Sequence, residues 1–443
     1  MSGDLPRRIG FWGGSAIMVG IIIGSGIFQT PPIIARQMGS PALILGLWIF
    51  GGVLSLFGAL VYAELAAMFP RSGGIYVYLN EGLGSRVAFT FGWTYLLLSK
   101  PFAAAAISIT FATHVNALFG THWNLQAIAC AMGVVMTAVN VVTLRGSSIT
   151  AIVLTSLKVL ALAAVVGLGV AMMKGSAANF AAVPAPKPVW AAFVPVLFAV
   201  LWTYDGWSDV SSISGEVIDP ARRLPRILLT GLVATMGIYL AVNAVYFSLV
   251  PIGEMARADT IAPLVMERLL GPSGATVVTA MIVISTLGAT HAAILTGARV
   301  TFAQARDGLL FRFLGGVHPR FETPHVSLWV QLALAVGAIL YVRHFKDLSE
   351  GFVFTLWIFH GLVAVAVLVL RRRRPDLERP YKCWGYPWVP IVFILVCVVM
   401  TVAYIANDPR ATLPWLGILA LGLPAYSIWK WRTGEPARKM SNE

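Results

Sequence analysis

The chain has 443 residues, of which 58% are hydrophobic and only 12% are charged, and its mean hydropathy is +0.80. Globular domains carry about 25% charged residues, so a soluble enzyme, a nucleic-acid-binding protein and a disordered chain are excluded. The net charge of +13 is typical of a membrane protein whose cytoplasmic loops are rich in Lys and Arg.

Long apolar segments follow one another along the chain, and each can supply a membrane-spanning helix of about 20 residues. Because a backbone in lipid must satisfy its own hydrogen bonds, we predict that all of them are helices. The alternating segments of an outer-membrane barrel are absent. The twelve predicted spans are 9–36, 41–68, 86–113, 124–143, 147–173, 190–217, 227–250, 274–303, 325–342, 350–370, 386–406 and 412–429.

The connections between these spans differ in charge. If the N-terminus lies in the cytoplasm, the connections on that side hold 21 of the 32 Lys and Arg residues, and the opposite connections hold 8. Since cytoplasmic loops carry the excess of basic residues, we predict an even number of spans and cytoplasmic termini. The run Arg371–Arg374 closes a span and is interpreted as a cytoplasmic anchor, with a lipid or nucleic-acid patch as the alternative.

Two spans contain residues that interrupt a helix: Gly24-Ser25-Gly26 in span one and Tyr204-Asp205-Gly206 in span six. Interrupted helices in corresponding positions of two halves indicate a transporter site. Five spans per half predict an inverted repeat, with halves at 9–175 and 190–370 and two further spans over 386–430. Close helix packing is the alternative for the glycines, but a carboxylate in mid-span favours a functional site.

The two interruptions predict backbone groups that bind an anion and backbone groups that bind a cation. Freed N–H groups at the start of the second half of a broken helix favour an anion, and freed carbonyls at the end of the first half favour a cation. An α-amino acid carries a carboxylate and an ammonium on one carbon and matches both. We therefore expect the backbone to bind this shared part, while side chains of spans three, six, eight and ten select the variable part.

Specific motifs occur along the chain: Gly24-Ser25-Gly26-Ile27-Phe28, Tyr62-Ala63-Glu64-Leu65, Pro70-Arg71-Ser72-Gly73-Gly74, Trp202-Thr203-Tyr204-Asp205-Gly206-Trp207, Gly215-Glu216, Arg222-Arg223-Leu224-Pro225-Arg226 and Arg379-Pro380-Tyr381. Together they resemble the amino acid–polyamine–organocation superfamily, most closely a bacterial member of its L-type amino acid transporter branch. The resemblance covers essentially the whole chain. It implies an all-α membrane protein of the LeuT-type fold that moves L-amino acids across the plasma membrane by alternating access.

The resemblance also implies a substrate site at the two interruptions, formed by Ile22, Gly24, Ser25, Gly26, Ile27, Trp202, Tyr204 and Asp205. The N–H groups of Ser25, Gly26 and Ile27 are expected to take the substrate carboxylate. Carbonyls of Ile22, Trp202 and Asp205 are expected to take the ammonium. Trp202 matches the aromatic residue that in this family covers the substrate and acts as a gate.

Lys158 lies near the middle of span five. A buried ammonium is costly unless it is hydrogen-bonded or paired, and a lysine that reaches the membrane surface is the alternative. The resemblance implies that such a lysine replaces the sodium ion that links spans one and eight in sodium-coupled relatives. We therefore expect sodium-independent transport, with exchange favoured over uphill uptake.

Further charged residues lie within or at the ends of spans. Lys100, before Pro101, is interpreted as half of a structural pair or as bound to water, with substrate contact as the alternative. Arg299 and Glu216 form either a gate ion pair or separate interface charges. Asp205 would attract a cationic side chain or bind freed N–H groups. We favour neutral substrates, with a cationic amino acid or polyamine as the alternative.

Ser285 and His291 in span eight are predicted to line the pocket. Many L-type relatives have asparagine near position 291, so the side-chain preference stays open. The alternative for His291 is a packing histidine, and His360 in span ten is interpreted in the same way.

Enzyme motifs such as His-Glu-x-x-His and Gly-x-Ser-x-Gly are absent. An intramembrane enzyme or a channel is therefore only a remote alternative, and we expect no cofactor, metal or nucleic acid. Animal relatives bind a heavy chain through a cysteine in the loop after span three, and that loop, 113–124, has none. The expected partners are L-amino acids and the lipid bilayer, without a disulfide-linked heavy chain.

Overall fold

The computed structural model describes residues 5–142, 144–172, 174–185, 188–341 and 345–433, and of 144–148, 345–353 and 411 the backbone only. Within these ranges the sole β-pairing is an isolated parallel bridge between Ile9 and Val217. The helices are α1 Phe11–Ile22, α2 Gly26–Ala35, α3 Pro41–Met68, α4 Ile75–Leu83, α5 Ser85–Thr94, α6 Lys100–Phe119, α7 Leu125–Val142, α8 Leu144–Ala171, α9 Val189–Tyr204, α10 Pro220–Leu249, α11 Ile252–Met255, α12 Ile261–Leu270, α13 Pro272–Arg306, α14 His325–Tyr341, α15 Phe345–Arg373, α16 Trp388–Asn407 and α17 Pro409–Thr433.

Shorter elements complete the chain. A π-helical turn, Tyr95–Ser99, joins α5 to α6, so these three form span three. A 3₁₀ helix, Trp207–Glu216, continues span six after α9. Two further 3₁₀ turns lie at Ala177–Phe180 and Arg312–Gly315. Helices α4, α11 and α12 lie between spans, and the apolar segments did not predict them because they are short.

The all-α membrane architecture is confirmed. Eleven helices among the described residues are long and apolar enough to cross a membrane, and they match predicted spans one to eight and ten to twelve. Predicted span nine is α14, an apolar helix of 17 residues. Residues 342–344, which follow it, lie outside the described ranges. The described residues therefore contain eleven helices of spanning length and one apolar helix of 17 residues.

Some of the predicted features lie outside the described residues. These are the termini, 1–4 and 434–443, and two of the basic residues counted in the connections, Lys187 and Arg343.

The structure corrects the start of span seven, because α10 begins at Pro220 rather than at 227. The Arg222–Arg226 segment is consequently in the first two turns of a helix and not in a connection.

The first half of span one is central to the packing. Helix α1 contacts α8 of span five, α10 of span seven and α13 of span eight. Helix α2 instead packs against α9 of span six and the short helices α11 and α12. The two halves of span one therefore have different neighbours, and the interruption between them lies where these groups of helices meet.

Candidate functional site

Span one is interrupted between Ile22 and Gly26. Helix α1 ends at Ile22, and the Gly24 amide donates back to the Ile22 carbonyl over 2.8 Å in a tight turn. Helix α2 begins at Gly26, and the Phe28 and Gln29 amides both donate to the Ser25 carbonyl over 3.2 Å. The predicted interruption of span one is present at this position.

Span six is interrupted at Asp205 and Gly206. Asp205 has an extended backbone that ends α9. Gly206 has a φ of +103°, a conformation that glycine adopts without strain and other residues disfavour. The chain then continues as a 3₁₀ helix to Glu216. The Asp-Gly pair is therefore the local cause of the second interruption.

The two interruptions pack directly on each other. A Cβ atom added to Gly26 would overlap the side chain and Cα of Thr203 in span six. A Cβ atom added to Gly206 would overlap the Ile21 side chain in span one. Both glycines are therefore required for the close approach of the two unwound segments.

Tyr239 on α10 links the two interruptions. Its hydroxyl lies 2.7 Å from the Ile22 carbonyl and 3.0 Å from the Thr203 carbonyl. Both carbonyls lie at the ends of first half-helices, where the helical partner is missing. The sequence does not single out this residue, because a tyrosine in an apolar span indicates only that its hydroxyl needs some partner.

A cavity of about 40 Å³ lies between the interruptions, which is room for about three water molecules. Six of the predicted substrate residues line it: Ile22, Gly24, Ser25, Gly26, Trp202 and Asp205. The other lining residues are Ile21, Lys100, Ala103, Ile107, Asp209 and Ala293. The cavity therefore joins both interruptions with spans three and eight, whereas no residue of span ten lines it.

Four predicted site residues do not line this cavity. Ile27 is fully buried in the apolar core. Tyr204 packs against Trp48 and Tyr239. Ser285 donates from its hydroxyl to the Ile23 carbonyl over 3.2 Å. The carbonyl of the fully buried His291 accepts from Asn140 over 3.1 Å.

The cavity presents donors on one side. The first amides of a helix have no acceptor within it. In α2 these are the amides of Gly26 and Ile27, since those of Phe28 and Gln29 donate to the Ser25 carbonyl. The buried hydroxyl of Ser25 has no hydrogen-bond partner within the part of the chain that the structure describes. These groups, together with the helix dipole, form a site suited to a carboxylate.

The ammonium of Lys158 binds the interruption of span one. Its Nζ donates to the carbonyls of Gly20 and Ile23, each over 2.8 Å, and to that of Ser285 on α13 over 3.0 Å. The residue is 1% exposed. All three donors of the ammonium are thus satisfied by carbonyls, and one side chain connects spans five, one and eight.

A second buried lysine, Lys100, lines the cavity. The Lys100 ammonium forms an ion pair with Asp209, and both side chains are 4% exposed. The Tyr95 hydroxyl donates to the same carboxylate over 3.3 Å. The predicted structural pair of Lys100 is therefore formed. The sequence did not identify Asp209 as this partner. A carboxylate in the middle of a span is nevertheless a signal of a functional site.

Arg299 and Glu216 form a two-pronged ion pair. Arg299 Nε lies 2.8 Å from Glu216 Oε1, and Nη2 lies 3.0 Å from Oε2. Each side chain is 1% exposed. The Glu216 carbonyl also accepts the amides of Arg8 and Ile9, both over 2.8 Å. The pair thus joins span eight to the end of span six and holds the segment before α1.

The second histidine, His360, lies in an aromatic cluster. Its Nδ1 is 2.7 Å from the Tyr62 hydroxyl, and its ring stacks on Trp207 with centroids 5.0 Å apart. It does not line the cavity. These contacts are those of a hydrogen-bonded packing residue that joins spans two, six and ten.

The sequence matches that of a known protein family. A sequence profile described as amino acid permease matches residues 9–423. The chain belongs to the amino acid permease family. It is an L-type-like member of the amino acid–polyamine–organocation superfamily, as its motifs predict.

Relatives of this permease include transporters from animals and bacteria. It is 30% identical to the b(0,+)-type amino acid transporter 1 of Mus musculus over 415 residues, which cover 92% of this chain and 84% of the relative. The cystine/glutamate transporter of Homo sapiens is 30% identical over 434 residues, with coverages of 96% and 86%. The serine/threonine exchanger SteT of Bacillus subtilis (strain 168) is 28% identical over 426 residues, with coverages of 95% and 96%.

The family membership and the apolar helices together establish a multi-pass membrane transporter. The alternative of an intramembrane enzyme is excluded, because the family consists of transporters.

Proposed function

We propose that this permease is a sodium-independent exchanger of L-amino acids that favours neutral substrates. It works by alternating access in the plasma membrane with both termini in the cytoplasm. The relatives named as exchangers and amino acid transporters support the reaction type. The inverted repeat of 9–175 and 190–370 would supply the two halves that move relative to each other.

The observation that carries sodium independence is the position of the Lys158 ammonium. It already donates hydrogen bonds to the carbonyls at the end of the first half of span one and to the Ser285 carbonyl of span eight. A metal cation at the same carbonyls would be repelled by the ammonium and would compete for the same lone pairs. The site therefore needs no added cation to join spans one and eight.

The cavity supplies both poles for an amino acid. The substrate carboxylate would bind the amides that begin α2 and the free hydroxyl of Ser25. The ammonium would bind carbonyls at the ends of α1 and α9, beneath Trp202 as the gate. Because the cavity holds about three waters, the surrounding helices must separate to admit a substrate.

Counterflow in proteoliposomes tests this proposal. Vesicles preloaded with an unlabelled neutral amino acid are expected to accumulate the labelled amino acid transiently above equilibrium, and replacement of sodium by choline should leave the rate unchanged. A strict requirement for sodium would contradict the role of Lys158. Ionic conductance without stimulation by internal amino acid would instead indicate a channel.

A cationic substrate is the second candidate, and Asp205 favours it. Its carboxylate lines the cavity, where Lys100 is already paired with Asp209. Asp205 has no ion pair among the described residues, so its carboxyl group is available to a substrate that brings its own positive charge. A substrate with a Lys or Arg side chain could supply the missing positive charge.

Replacement Asp205→Asn separates these two candidates. If the carboxylate binds cationic side chains, competition by Lys and Arg should weaken by about ten- to a hundredfold, which corresponds to one or two charge-assisted contacts. Exchange of neutral amino acids should remain measurable. The matched control is Asp259→Asn, because the Asp259 side chain is fully exposed. Unchanged competition by Lys and Arg would exclude charge selection by Asp205.

The permease is also proposed to act without a disulfide-linked heavy chain. The loop 113–124 that carries the linking cysteine in animal relatives has none in this chain. The three cysteines are free, and Cys383 and Cys397 are buried.

A further inference from the structure

A second cavity lies on the outer surface of the helix bundle, away from the substrate site. It has a volume of about 610 Å³ and is open to the surroundings. The start of span one, span five and the start of span seven form its walls. The residues that line it and carry the following argument are Phe11, Trp12, Ile152, Arg223 and Arg226.

One wall of this surface cavity is strongly basic. Arg223 is half-buried and Arg226 is exposed. Neither guanidinium has an ion pair or a side-chain hydrogen bond with any residue that the structure describes. A Cβ atom at Gly10 would lie 3.6 Å from Arg223 Nη1, so this guanidinium reaches over the start of span one.

The placement of these arginines is unfavourable without an anion. They lie in the first two turns of α10, which has no acidic residue in its first turn, and the N-cap residue Asp219 makes no side-chain cap hydrogen bond. Positive charge near a helix N-terminus opposes the helix dipole. An anion in the cavity would offset both the dipole and the mutual repulsion of the arginines.

The rim of the cavity is apolar. The Trp12 side chain is 76% exposed and contacts the Phe11 ring edge to face, with centroids 5.2 Å apart. On span five, Ile152 and the neighbouring Ile149 are exposed. Exposed tryptophan is typical of the membrane–water interface, and exposed isoleucine on a span faces lipid chains. A soluble anion would leave this surface uncovered.

We propose that this cavity binds one anionic phospholipid. The lipid phosphate pairs with the Arg223 and Arg226 guanidinium groups, which suit phosphate oxygens. Trp12 packs beside the headgroup, and an acyl chain lies along Ile152 and Ile149. The arginines belong to the end of the bundle that carries the excess of basic residues, where juxtamembrane basic clusters recognise anionic lipids.

A lipid in this position also has a consequence for transport. It would bridge α10 and the beginning of α1, and α1 ends at the carbonyls that Lys158 binds. Bound lipid would therefore restrain the half-helix that must move during alternating access. This regulatory step rests on the proposed exchange function, whereas the binding of the lipid does not.

The test measures lipid binding and exchange separately. Purified permease is titrated with dioleoylphosphatidylglycerol, with dioleoylphosphatidylcholine and with inorganic phosphate, and bound lipid is counted by native mass spectrometry. The variant Arg223→Gln/Arg226→Gln should bind phosphatidylglycerol about 20- to 30-fold more weakly, since each arginine contributes about fivefold. Arg222→Gln is the matched control, because this exposed neighbour on α10 does not line the cavity.

Each outcome is decisive for the lipid site. Equal binding of both lipids by the unmodified protein, or an equal loss in the Arg222→Gln control, would overturn it. Phosphate that displaces the lipid at matched concentration would indicate a site for a free anion instead. If the double variant does not fold, phosphatidylglycerol should still raise the melting temperature of the unmodified protein more than phosphatidylcholine does, and the absence of this difference would also overturn the site. Unchanged exchange despite lost binding would overturn only the regulatory step.

Discussion

Replacement of Lys158 by alanine is expected to reduce amino acid exchange by about two orders of magnitude or more. The substitution removes three hydrogen bonds from a charged donor, to Gly20, Ile23 and Ser285. Each such bond contributes about 1.5–3 kcal/mol, and a hundredfold change in rate corresponds to about 2.7 kcal/mol. The carbonyls left behind have no water to replace the ammonium in the membrane interior.

Lys174→Ala is the matched control for this prediction. The Lys174 ammonium also donates to two backbone carbonyls, those of Arg268 and Leu269, over 3.2 and 3.0 Å. It is exposed, however, and lies beyond the end of α8, the helix that carries Lys158. Initial exchange rates in proteoliposomes are compared for both variants after gel filtration shows a monodisperse protein. Native kinetics in a well-folded Lys158→Ala variant would remove the proposed role of this residue.

Loss of either partner of the Arg299–Glu216 pair is expected to destabilise the protein, whereas removal of both charges together is expected to be tolerated. Arg299→Met alone or Glu216→Gln alone leaves a charged or polar group without its partner at 1% exposure. Loss of one partner of a buried pair costs about 3–5 kcal/mol, so both single variants should lose thermal stability and exchange. The double variant Arg299→Met/Glu216→Gln should regain much of the stability, because no charge is then left unpaired.

The unmodified protein, the two single variants and the double variant form a double-mutant cycle. Their melting temperatures in one detergent measure the coupling between Arg299 and Glu216. The control is Arg8→Ala, which breaks the exposed Arg8–Glu322 pair of 2.9 Å. Exposed pairs contribute about 0–1 kcal/mol, so little change is expected there. Additive effects of the two buried substitutions would show that Arg299 and Glu216 do not stabilise each other. If stability returns in the double variant and exchange does not, the pair acts in the transport cycle as well.

The helices and their interruptions are the features that the sequence predicts well. Lipid imposes a local rule, because every apolar segment of sufficient length must form its own backbone hydrogen bonds. The Asp205-Gly206 pair marks a break that needs a residue with positive φ, and the structure has that conformation at Gly206. Helix α10 shows the limit of this rule. It begins at Pro220 and not at the predicted 227, because hydropathy alone does not determine where a helix begins.

The composition of the cavity is predicted less completely. Tyr204 and Ile27 lie next to lining residues in the chain but are directed into the core. Ser285 and His291 lie on span eight but do not line the cavity, which instead includes Ala293. The rotation of a helix about its axis determines which residues face a cavity. In spans one and six the interruptions break the helical periodicity from which that rotation could be inferred, and in span eight the rotation is set by packing against the neighbouring helices.

The sequence by itself determined the membrane class, the two interruptions, the mid-span Lys158 and the family, because each depends on residues close together in the chain. The tertiary structure alone decided the partners: Lys158 with the carbonyls of spans one and eight, Lys100 with Asp209, and Tyr239 with both interruptions. The cost of burying a polar group in the membrane predicts that a partner exists. It does not identify that partner, because the partner lies up to 217 positions away and is chosen by helix packing.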